Sequence, residues 1–137
     1  WQDEFEKSYV YGKRRRKMPI VHYVKAFNKI PSFKHPKDLT NIQGIKKLKA
    51  DKFPYTASLG LVALIKIEPN FYGTFTLRFP EETADYHEAG TSNPKSEFAL
   101  VYLKYDMTKS TFNKAGTYFI ALALDGEIIH KTPVIVE

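Results

Sequence analysis

The chain has no cysteine among its 137 residues. Disulfides, thiolate nucleophiles and zinc–thiolate sites are therefore excluded. Small secreted domains commonly staple themselves with disulfides, so this lack points to an intracellular or virion setting. Long hydrophobic runs are also missing. The longest, residues 59–65, falls well short of the roughly 20 residues a membrane-spanning helix needs, and no membrane contact is expected. Residues 1–17 hold no apolar stretch like the centre of a signal peptide.

Catalytic patterns are equally scarce. There is no Gly-rich phosphate loop and no Gly-x-Ser-x-Gly. Ser58, Ser92, Ser96 and Ser110 have no histidine close in sequence to activate them. His22, His35, His87 and His130 fall in four separate segments without metal-ligand spacing. Glu81 and Glu82 are adjacent at a turn, where solvent keeps carboxylates ordinary. Only Asp85-Tyr-His87-Glu88 groups ligand-type residues, and it reads as a solvated loop. The expectation is a non-enzyme with no cofactor and no metal. Nothing calls for a small-molecule ligand.

Aromatic residues, by contrast, make up 15% of the chain, nearly all Tyr and Phe. They fit the pleated, half-buried surface of β structure. Charge is unevenly placed. Residues 1–52 hold 14 Lys and Arg against 5 Asp and Glu, net +9; residues 53–137 hold 7 against 10, net −3. Such asymmetry is a statement about partners. The N-terminal third should seek phosphate or an acidic protein surface.

Residues 1–17 read as an arm, because Gly12 and the successive charges Lys13, Arg14, Arg15, Arg16 and Lys17 oppose packing. Composition changes at Met18, and residues 18–137 read as one domain. Ile20, His22, Val24 and Ala26 alternate against Val21, Tyr23 and Lys25, a strand pattern. Residues 42–50 give a second strand crowded by Lys46, Lys47 and Lys49, which mark a protected edge. Residues 59–67 are nearly all apolar and read as a central strand covered on both faces. Residues 72–79 alternate strictly. Residues 80–96 read as a long polar connection, 97–104 as a strand and 105–116 as another polar link. Residues 117–124 and 127–136 form two strands around the hairpin signal Asp125-Gly126. Pro133, lacking an N–H, places the last strand at an edge or at a bulge. About seven strands and little helix predict an all-β, antiparallel, immunoglobulin-like sandwich with a basic N-terminal arm.

Three stretches add a resemblance. They are Met18-Pro-Ile-Val-His-Tyr23, Thr40-Asn-Ile-Gln-Gly-Ile45 running to Phe53-Pro54, and Phe112-Asn-Lys-Ala-Gly-Thr-Tyr118 followed by Asp125-Gly126 and Pro133-Val-Ile-Val136. From Met18 onward the chain resembles a family of small bacterial and phage immunoglobulin-like sandwich proteins of unknown function. The resemblance implies that fold and no catalytic residues. Residues 1–17 lie outside it.

The arm is the strongest functional signal. Lys13, Arg14, Arg15, Arg16 and Lys17 are flanked by Tyr9 and Tyr11. Phosphate neutralisation supplies affinity, and a ring can stack on an exposed base. Lys25, Lys29, Lys34, Lys37, Lys46, Lys47, Lys49 and Lys52 extend that surface. Phe71, Tyr72, Tyr86, Tyr102 and Tyr105 could form a second, aromatic surface; the favoured reading is that most of them are core or half-buried, since aromatics dominate small cores. The expected role is a structural or interaction subunit of a ribonucleoprotein or phage particle, tethered by its basic arm, with protein neighbours in the assembly and RNA or DNA as a partner of the arm. One alternative is a module that binds RNA or DNA in its own right; another is a ligand-binding or enzymatic domain, which would require a deep pocket with convergent polar groups.

Overall fold

The computed structural model describes residues 18–79, 86–93 and 97–137. Eight strands run through them: β1 (Ile20–Phe27), β2 (Lys47–Leu48), β3 (Tyr55–Ile67), β4 (Phe71–Arg78), β5 (Tyr86–Asn93), β6 (Ala99–Phe112), β7 (Gly116–Leu124) and β8 (Glu127–Val136). A 3-10 helix, Pro36–Asn41, follows β1. The strands form two sheets, ordered β1-β3-β6 and β2-β8-β7-β4-β5. All ladders are antiparallel except the two-residue pair of β2 with β8, which is parallel.

β3 occupies the centre of the three-stranded sheet because both its faces are apolar. Leu59, Leu61, Ala63, Ile65 and Ile67 point between the sheets. They meet Phe71, Phe75 and Leu77 of β4, Ile120, Leu122 and Leu124 of β7, and Val134 and Val136 of β8. Each fully buried Leu, Ile or Phe here contributes roughly 1.5–3 kcal/mol. The opposite face of β3 carries Val62 and Leu64, which pack with Tyr23, Phe27 and Leu39 beneath Ile30 and Phe33. The segment between β1 and β2 therefore roofs the outer face of this sheet.

Two hydrogen-bonded contacts fix that roof. Tyr23 Oη donates to the Pro36 carbonyl at 2.8 Å. Lys25 Nζ donates to the carbonyls of Leu39, Thr40 and Ile42 at 2.7, 2.8 and 2.8 Å. The ammonium thus collects the C-terminal carbonyls of the 3-10 helix, where positive charge is favoured. After the roof, the chain stitches the sheets together along one side. The Ile45 amide donates to Ala26 of β1, and the Ile135 amide of β8 then donates to Lys46. Gly44 passes so close to β1 that a Cβ there would lie 3.0 Å from the Ala26 carbonyl oxygen.

Several sequence expectations are corrected. Residues 80–96 are not wholly a connection, since residues 86–93 form β5, paired with β4 from Phe71↔Asn93 to Arg78↔Tyr86. Their polar, small residues give no alternation, and the β4 backbone supplies the template. The Tyr86-His87-Glu88 part of the ligand-type cluster lies in this strand, not in a loop; Asp85 is outside the described residues. Residues 105–112 are not a polar link but the second half of β6, carried by pairing with Tyr55–Leu61 of β3. Of residues 42–50, only Lys47 and Leu48 join a sheet. The alternation of residues 20–26 is broken by a bulge at His22, between the pairs Val21↔Ile65 and Tyr23↔Leu64. That bulge leaves Ile20 exposed although Val24 and Ala26 are in the core.

Other expectations hold. Asp125 and Gly126 adopt positive φ of 51° and 87° and join β7 to β8, as a two-residue hairpin loop requires. Asp125 also exchanges bonds with Thr74, its amide donating to the Thr74 carbonyl at 2.8 Å and its Oδ1 accepting from the Thr74 amide at 3.1 Å. Pro133 lies on β8 two residues before Ile135, whose amide faces Lys46, so its missing N–H falls on the same side just ahead of β2. The irregularity in the β7–β8 ladder falls at Ile129 instead.

Candidate functional site

Of the residues expected to bind a partner, Tyr9, Tyr11, Lys13, Arg14, Arg15, Arg16 and Lys17 lie outside the described residues. Lys46, Lys47 and Lys49 are exposed on and around β2, at one edge of the five-stranded sheet. This is where lysines oppose pairing with another chain. Lys25 is not part of an open cationic surface, because its three donors are spent on the roof carbonyls. Burial lowers its pKa below the usual lysine value; the three carbonyls offset that cost.

The described residues converge elsewhere. Exposed large hydrophobic side chains gather at the start of β1 and of β6: Met18 (58% exposed), Ile20 (55%), Phe98 (57%) and Leu100 (37%). Pairing makes them neighbours. Ile20 of β1 stands opposite Lys66 of β3, and Lys66 stands opposite Leu100 of β6, in one row across the outer face of the three-stranded sheet. Lys66 Nζ lies over the Phe98 ring, 4.6 Å from its centroid, a cation–π contact.

Beside this row is a depression of about 160 Å³ lined by His22, Lys37, Lys66, Phe98, Ala99 and Leu100. Each basic residue arrives by a different route. The β1 bulge turns His22 outward. Lys37 sits in the first turn of the 3-10 helix, where its amide donates to His35 Nδ1 at 3.1 Å, while the Asp38 carboxylate accepts from the His35 amide at 3.2 Å. The Tyr23 bond to Pro36 anchors that turn on β1. Lys66 comes from the central strand. Among the described residues no carboxylate lines the depression. Of the carboxylates on this face, Asp38 is engaged by the helix cap, and Asp106 lies 3.7 Å from Lys104. Glu68 and Glu97, near Lys66 and Phe98 in the chain, hold contacts of their own.

Sequence reasoning placed Lys37 among the extending lysines but missed His22, Lys66 and Phe98 as a group. Phe98 reads as one more apolar member of an alternating strand, and its exposure follows from β6 beginning only at Ala99.

Of the aromatic set, the Tyr86 side chain lies outside the described residues, and the other four do not form one surface. Phe71 is in the core, Tyr105 packs against it, Tyr72 is exposed on β4, and Tyr102 faces Phe33 under the roof, with ring centroids 5.3 Å apart. A larger groove of about 610 Å³ lies between β1, residues 40–46 and β8, with Val24, Ile42, Ile45, Pro133 and Ile135 on its walls. Its cations are the exposed Lys46 and the half-buried Lys25, whose donors already meet the roof carbonyls. Among the described residues no helix is long and apolar enough to cross a membrane. Comparison of the chain with protein-family models, with curated proteins and with solved structures gave no match.

Proposed function

We propose that this protein is a non-enzymatic interaction subunit of a larger assembly, an immunoglobulin-like sandwich tethered by its basic arm. The strand order supports the immunoglobulin-like reading. With β1, β3 and β6 as A, B and E, and β4, β5, β7 and β8 as C, C′, F and G, the two sheets have the neighbours that such domains have. β2 is then a short segment that leaves the first sheet to flank G. A second support is Tyr118, near the start of β7, whose hydroxyl donates to the Lys114 carbonyl at 2.7 Å. This is the geometry of a tyrosine corner.

The observation that carries the functional reading is where the arm joins the body. Lys17 is covalently next to Met18, which belongs to the exposed apolar corner. The five charges of residues 13–17 therefore lie within about 18 Å of chain from that corner. Apolar surface flanked by cations is the composition of a surface that meets an anionic partner. A ribonucleoprotein or a phage particle provides such partners, with protein neighbours alongside. The second reading, a nucleic-acid-binding module, is favoured by the three basic residues that share one depression with Phe98.

The test is binding of the purified chain to generic RNA and DNA across a salt series, with and without residues 1–17. Salt-steep binding that disappears with the arm supports a nucleic-acid tether. Binding unaffected by arm removal contradicts a nucleic-acid tether through residues 13–17, and no binding by either form moves the arm to a protein partner.

A further inference from the structure

We infer that the depression formed by His22, Lys37, Lys66 and Phe98 is a contact site for single-stranded nucleic acid, taking one phosphodiester among its cations and one base on the exposed ring. This rests on the reading of the arm as a tether to nucleic acid and adds a place on the body.

Size is the first argument. Pockets that enclose small molecules span roughly 300–1,000 Å³, and this one holds about 160 Å³. It suits one group of an extended ligand, the rest of which runs over the surface.

Charge is the second. Lys37 and Lys66 line one small depression that no carboxylate lines among the described residues. An anion seated there meets two lysines and no opposing carboxylate of the lining. Lysine is a point-charge ligand for phosphate, and the imidazole of His22 adds a further nitrogen to the same wall. The strand and the capped turn that carry the two lysines are anchored by the ladder and by the Tyr23 bond, so their backbones need not reorganise on binding.

The ring is the third. Phe98 is 57% exposed even with Lys66 over it. Leu100 and Ile20 extend the apolar surface beside it. Bases stack on such rings with little regard to sequence, as long as their faces are accessible. A duplex hides those faces within its own stack, so the ring favours single strands. The five charges of residues 13–17 directly precede Met18 in the sequence.

The test is fluorescence anisotropy with a labelled oligothymidine and an oligouridine of about 12 nucleotides, and with the matching duplex, on the full-length chain. Phe98→Ala and Lys37→Gln alter exposed side chains, and an unchanged thermal midpoint verifies folding. The expected result is single strand bound more tightly than duplex. Phe98→Ala should weaken strand binding roughly fivefold or more with an unchanged salt slope, as loss of stacking requires. Lys37→Gln should lower the slope by about 0.7, the share of one phosphate on a single strand. The inference is overturned if both variants bind like the parent chain, if duplex binds as tightly as strand, or if strand is not bound. Loss of binding on neutralising residues 13–17, with Phe98→Ala and Lys37→Gln silent, leaves the tether standing and removes only the site on the body.

Discussion

The phenol of Tyr23 and the backbone carbonyl of Pro36 are joined by a 2.8 Å hydrogen bond that ties the roof of the three-stranded sheet to β1. Tyr23 is otherwise buried against Phe27, Leu39, Val62 and Leu64. One bond thus links the packing of the outer face to the placement of Lys37, one residue beyond Pro36.

Tyr23→Phe keeps the ring and deletes that bond. The expected cost is about 1 kcal/mol, the typical net worth of one intramolecular hydrogen bond, read by urea denaturation. An unchanged midpoint would mean that the roof is held by packing alone.

The same residue sets an alkaline limit. Burial, reinforced by the nearby Tyr102, pushes the Tyr23 pKa up to about 12. The folded state therefore favours the neutral phenol. Stability from this group is fully present below the unfolded-state pKa of about 10 and is lost as pH rises from there to about 12. Denaturation midpoints measured across this range should fall in the parent chain, and less so in Tyr23→Phe. Equal decline in both chains would contradict the assignment.

Tyr102 presents the opposite case. Its hydroxyl is buried and has no hydrogen-bond partner among the described residues. Burial, and then the Asp106 carboxylate, raise its pKa. Tyr102→Phe removes a desolvated hydroxyl without removing a bond. It should be neutral or stabilising by up to about 1–2 kcal/mol, measured in the same urea experiment. A loss of stability would reveal a partner for the hydroxyl in solution.

Gly60 lies in β3 under Ile30, and a Cβ there would sit 2.6 Å from Ile30 Cγ1. Gly60→Ala should therefore destabilise by about 1–3 kcal/mol, the usual cost of overpacking. Pairing it with Ile30→Ala should recover part of that loss relative to the sum of the single changes. Additive losses would mean that the clash is relieved by some other movement.

How much of this was legible in the sequence depends on where each signal resides. The run at residues 59–67 announced a strand covered on both faces, and β3 is that strand, because burial on two sides needs apolar residues at every position. Asp125-Gly126 announced its hairpin through a backbone geometry that those residue types supply. β5 and the far half of β6 were illegible because polar and small residues interrupt their alternation; pairing with β4 and β3 defines both, and among the described side chains Tyr105 and Phe112 alone carry the core signal of the latter. The His22 bulge was hidden for a similar reason, since one extra residue preserves composition while shifting the face. The cationic depression could not be read at all. Its basic residues come from a bulge, a capped turn and a central strand, and only the sheet register brings them beside Phe98.

The most direct test of the tether is the salt slope of strand binding. It compares the parent chain with a full-length variant carrying glutamine at Lys13, Arg14, Arg15, Arg16 and Lys17. Each neutralised phosphate on a single strand contributes about 0.7 to the slope, so losing five cations should lower it by about 3.5. A fall of that size, with folding intact, places the arm on nucleic acid. An unchanged slope would contradict the account, and the arm would then not be the nucleic-acid tether.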